Sequence, residues 1–144
     1  MFKRILVALD PSPSHESALR MAGDLAQFAG AEVLVLHVVP FAVAGDAVVS
    51  LETDAEGTML LDAAVRMLQA SGLKAEGRLT RGVTQVIPRL ISDAADEFKA
   101  DLLVLSPHHR SSLAALLAPR VSDAVVHTSD IAVLLAPEHP AEQK

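Results

Sequence analysis

The residues with chemical capacity gather in one stretch, SPHHRSSLAALLAPRVS, from Ser106 to Ser122. Two imidazoles and two guanidinium groups stand there, His108, His109, Arg110 and Arg120. Together they offer many N–H donors, and Arg can hold a phosphate or carboxylate through two parallel bonds. Anion binding is the chemistry such a set would perform, against the plainer reading of a polar, exposed loop. Asp10 ends an apolar run and could accept hydrogen bonds from a ligand hydroxyl, or close an Asx-turn on its own backbone. The serines at 12, 14, 111, 112 and 122 include none in a Gly-x-Ser-x-Gly turn, so no nucleophile is set up. Ser12 and Ser122 read more simply as helix caps. His108 and His109 lack a third metal ligand in sequence reach. His37, alone in VLVLHVV, reads as a buried strand residue with a satisfied ring.

The elements that must position these groups follow from apolar periodicity. Phe2 to Leu9 reads as a buried parallel strand. After the turn Pro11 to Ser14, a helix runs to about Ala29, with Ala18, Ala22, Leu25 and Ala29 inward and Gly30 as its stop. Glu32 to Val39 is the second strand. Pro40 to Thr53 reads as a surface loop, with a helical turn over Ala47 to Leu51 as the option within it. A helix over Asp54 to Ser71 places Leu60, Ala64, Met67 and Leu68 inward. Leu73 to Thr80 alternates like a half-exposed edge strand. Thr84 can cap a third helix with Ile87, Leu90, Ile91, Ala94 and Phe98 inward, Pro88 near its start costing one hydrogen bond. Leu102 to Leu105, a helix over Val121 to His127, and Ile131 to Leu135 complete the pattern. The run Leu113 to Ala118 is expected to fold over the crevice as a short helix, in preference to standing as an exposed patch for a partner. The alternation βαβαβαβαβ predicts an α/β fold, a five-stranded parallel sheet doubly wound with helices on both faces.

Composition bounds the rest. The 144 residues fit one domain, residues 1–137, with a polar tail at 138–144. The chain is 51% hydrophobic but only 3% aromatic, so its core is aliphatic. Zero cysteines exclude disulfides and thiol chemistry. A net charge of −6, from 12 basic and 18 acidic residues, argues against a nucleic-acid partner. No run approaches the ~18 apolar residues of a membrane span, so no membrane partner and a cytoplasmic location are expected.

The opening KRILVALDPSPSHESALRMA, the strand VLVLHVV and the closing ADLLVLSPHHR…VSDAVVHTSDIAVLLAP resemble the universal stress protein family over nearly the whole chain. The resemblance implies strand order 3-2-1-4-5 and a homodimer formed through the last strand. In that order the chain reverses between strands 1 and 4, opening a crevice between Asp10 and Ser106. Family members that bind ATP carry Gly-x-x-Gly, nine residues, then Gly followed by Ser or Thr, after the fourth strand. Laid on this sequence those four positions are Ser106, His109, Pro119 and Arg120, and all depart from the pattern. The positions that in the family touch ribose, adenine and phosphate survive as Asp10, Val38, Val121 and Ser122. The resemblance therefore implies a stress-response binding or signalling module without strong ATP binding, with no cofactor, acting through protein partners or another small ligand. The alternative keeps ATP or AMP, with or without Mg²⁺, held by His and Arg side chains. An enzyme is not expected, because no base–nucleophile pair and no carboxylate cluster beyond Asp10 can be named; slow nucleotide hydrolysis is the third option.

Overall fold

The computed structural model describes residues 1–9, 15–50, 53–106 and 130–136. Three strands with near-continuous apolar runs form its centre: β1 (Arg4–Leu9), β2 (Glu32–Ala44) and β5 (Leu102–Leu105). Such runs are expected where a strand is covered on both faces. Side chains of one strand alternate between two cores. Ile5, Val7, Val33, Val35, Leu102 and Val104 face α1 (His15–Ala29) and α2 (Asp54–Ala70). Leu6, Leu34, Leu36, Val38, Leu103 and Leu105 face α3 (Ile87–Phe98). The remaining strands are β3 (Ala47–Ser50), β4 (Ala75–Val83) and β6 (Ala132–Leu135), with a 3₁₀ turn at Thr84–Val86.

The five parallel strands lie in the order β4-β2-β1-β5-β6, the order the resemblance implied. Right-handed crossovers explain the layering. The chain steps one way from β1 to β2 to β4, laying α1 and α2 on one face, then returns past β1 to β5, laying α3 on the other.

Among the described residues the sheet has six strands rather than the expected five. β2 continues through Pro40 to Ala44, turns at Gly45–Asp46 and pairs antiparallel with β3. The expected surface loop with its helical-turn option at Ala47 to Leu51 is thus a β-hairpin over its described part. A Gly-Asp pair between valine-bearing runs matches a two-residue hairpin turn, and Gly45 takes a positive φ of 62°.

Other expectations shift in detail. The buried line of α2 is Gly57, Leu61, Ala64 and Leu68, which leaves Met67 exposed. Thr53 caps this helix: its hydroxyl accepts from the Glu56 N–H while the Glu56 carboxylate accepts from the Thr53 N–H. α3 begins after the 3₁₀ turn, with Val86 rather than Thr84 at its N-cap position. Pro88 falls in the first two helical positions, where its missing N–H has no helical partner to lose. Ile91, Ala94 and Phe98 are buried as expected, joined by Ala95. The helix over Val121 to His127 and the short helix over Leu113 to Ala118 lie outside the described residues.

The amino ends of the strands are tied together. The Asp101 carboxylate accepts from the backbone N–H groups of Lys3 and Arg4 at 2.9 and 3.1 Å. Arg4 in turn donates to the Phe98 carbonyl, lies 4.3 Å from that ring's centroid and pairs with Glu32.

Candidate functional site: the carboxyl ends of β1, β2 and β5

β1 is the strand on either side of which the chain reverses direction, so the crevice of this sheet opens at its carboxyl end. Two of the seven candidate residues are described there, and they flank that end. Ser106 directly follows β5 and is half-buried. The register Val7↔Val104, continued by two residues, brings it abreast of Leu9. Val38 is the first β2 residue beyond the last pair with β1, Leu9↔His37. Its side chain is 6% exposed and packs in the α3-side core. Val38 can therefore offer a ligand its backbone but not its side chain. Asp10, His109, Arg120, Val121 and Ser122, with His108 and Arg110 beside them, lie outside the described residues.

His37 fixes this end of the sheet. It is fully buried, and its Nδ1 stands 3.1 Å from the Leu9 carbonyl oxygen. The satisfied strand histidine expected from the sequence is what the structure contains. α2 holds it from above: a Cβ on Gly57 would lie 2.8 Å from Val39 Cγ2 and 3.3 Å from His37 Cδ2. Gly57 thus lets the helix sit against the strand behind the crevice. Neither Gly57 nor the hairpin stood among the candidate residues. The Thr-x-x-Glu box before Gly57 and the Gly45–Asp46 turn were the signals that would have found them.

Among the described residues, no three His, Asp or Glu side chains form a group that could hold a metal ion. No described helix is long and apolar enough to cross a membrane. A groove of about 300 Å³ runs between α2 and the edge strand β4, lined by Leu61, Asp62, Val65, Arg66, Gln69 and Gly77, away from the switch point.

The family model described as the universal stress protein family matches residues 1–137. Universal stress protein A homolog 1 of Coxiella burnetii is 25% identical over 137 residues, covering 92% of this chain and 94% of its own length. A universal stress protein structure from Archaeoglobus fulgidus is 26% identical with a TM-score of 0.69, covering 94% of this chain and 99% of that one. The structure of the Archaeoglobus fulgidus universal stress protein in complex with dAMP is 25% identical with a TM-score of 0.67, covering 93% and 97%. Fold, switch point and full-length match agree, and the chain belongs to the universal stress protein family.

Proposed function

We propose that this protein is a non-catalytic binding module of its family that has lost strong ATP binding. The observation that carries this is the replacement of all four phosphate-loop positions by Ser106, His109, Pro119 and Arg120. Glycines in such a loop let backbone N–H groups approach phosphate oxygens closely. Pro119 has no N–H to offer, and His109 brings a ring where close backbone approach is required. The module acts as a homodimer through protein contacts or through a ligand poorer in phosphate than ATP. The homodimer is supported by β6, which among the described residues pairs with β5 alone, with Leu135 42% exposed. An unprotected apolar edge favours a second strand. Calorimetric titration with ATP and Mg²⁺ tests the proposal, and micromolar affinity would sink it.

A second reading is favoured by the relative solved with dAMP. One phosphate needs fewer donors than three, and His108, His109, Arg110 and Arg120 can supply them from side chains. Arg120→Ala and added salt should then both weaken AMP binding. An affinity indifferent to both would rule this reading out.

A further inference from the structure

Among the described residues β4 pairs with β2 alone, along all nine of its residues, which leaves its other edge open. The groups on that edge follow from one bond. The Val33 N–H donates to the Lys74 carbonyl at 3.0 Å, and successive strand residues turn their N–H and C=O to alternate sides. Glu76, Arg78 and Thr80 therefore turn to β2, while Ala75, Gly77, Leu79 and Arg81 turn outward. The Ala75 carbonyl is taken by the Gln69 side-chain amide of α2 at 3.0 Å. The backbone groups of Gly77, Leu79 and Arg81 have no partner among the described residues. Long edges are normally blunted by proline, a bulge or unpaired charge. β4 has no proline and an unbroken register with β2, and its Arg78 and Arg81 are neutralised by Glu97 and Asp54.

The groove of about 300 Å³ runs along this same edge. Gly77 lies at its base under α2, where a Cβ would stand 3.1 Å from Leu61 and 2.9 Å from Val65. Asp62 and Arg66 line the groove one helical turn apart, and neither is ion-paired among the described residues. Side chains on one face of a strand recur every ~7 Å, close to the ~6 Å between those two helix positions. The chemistry that satisfies an open backbone edge is a second backbone, and the groove beside it receives that backbone's side chains. α2 runs antiparallel to β4, since Gly57 lies by Leu79, Val65 by Gly77 and Gln69 by Ala75. A strand added antiparallel to β4, the stronger of the two pairings, thus passes Asp62 before Arg66.

We propose that the outer edge of β4 and the groove beside it dock an extended segment of a partner protein, added antiparallel to β4. A basic side chain of that segment faces Asp62, and an acidic one two residues later faces Arg66. Their aliphatic stems cover Leu61 and Val65. This site lies away from the switch-point crevice, so the inference does not depend on nucleotide binding. Random octapeptides displayed on phage and selected on the full chain supply the probe, and the tightest is synthesised and followed by fluorescence anisotropy. It should carry Lys or Arg two residues ahead of Asp or Glu. Arg66→Glu, at an exposed position, should weaken it on the order of tenfold at an unchanged melting temperature. Changing the acidic residue of the peptide to lysine should restore the loss. N-methylation of every second peptide N–H should abolish binding in one phase and spare it in the other, because only alternate N–H groups face β4. Binding indifferent to Arg66→Glu and to both methylation patterns would overturn the proposal, as would a selection that enriches no peptide. Association beyond a dimer that Arg66→Glu abolishes would assign the edge to a second copy of this chain, and would overturn it too.

Discussion

Replacing Gly57 by alanine should destabilise the protein, although alanine is the better helix former. Two effects oppose each other. In a helix interior the exchange contributes ~1 kcal/mol in favour of alanine. Against it, the new Cβ would stand 2.8 Å from Val39 Cγ2, 3.3 Å from His37 Cδ2 and 3.4 Å from Leu79 Cδ1. Val39 is β-branched and fully buried, and His37 is held by the Leu9 carbonyl, so neither yields easily. Overpacking a core of this kind costs ~1–3 kcal/mol. The net expectation is a loss of about 1 kcal/mol, or about 3 °C in melting temperature for a domain of this size. Gly23→Ala is the internal comparison. Its Cβ would meet Leu68 Cδ2 at 3.0 Å and Leu73 Cδ1 at 3.9 Å, the far ends of flexible side chains. There the helical gain should cancel or outweigh the strain. Thermal and urea unfolding of both variants give the answer. A Gly57→Ala protein as stable as wild type would refute the close seating of α2 on β2 behind the crevice.

Asp101→Ala should cost about 2 kcal/mol by urea unfolding, since a carboxylate accepting two backbone N–H groups is lost from the amino end of the sheet; a loss under about 0.5 kcal/mol, the scatter of neutral surface changes, would contradict that assignment. Val133→Lys places a charge within β6 and should convert a dimer to monomer in analytical ultracentrifugation. A dimer that survives the change would refute pairing through this strand.

Much of the fold was legible because the relevant signals are local. The apolar runs of β1, β2 and β5 marked strands covered on both faces, and the spacing of Ile91, Ala94 and Phe98 marked the inner face of α3. His37 was read correctly because a lone polar residue in such a run must be buried and bonded. The hairpin was missed for a different reason. Pro40, Gly45 and Asp46 punctuate the chain as a loop does, and the ribbon forms because β2 continues outward from a sheet already built. Met67 was misplaced because periodicity fixes a stripe but not its centre. Gly57, by letting α2 approach β2, turns the helix so that Leu61, Ala64 and Leu68 face inward. At the site, the sequence identified the switch point and the departures from the phosphate loop. The run Glu32 to Val39 already marked Val38 as an ordinary core residue, but which of the two cores it enters depends on a helix remote in the chain.

The loss of strong ATP binding is tested most directly by the melting temperature under ATP and Mg²⁺. A ligand at a hundred times its dissociation constant stabilises the folded state by ~2.7 kcal/mol, which for micromolar binding is reached near 0.1 mM ATP. The expected result is a flat response through that concentration. A rise of several degrees there would mean that this loop, with Pro119 and Arg120 in place, still holds a triphosphate, and the central proposal would be wrong.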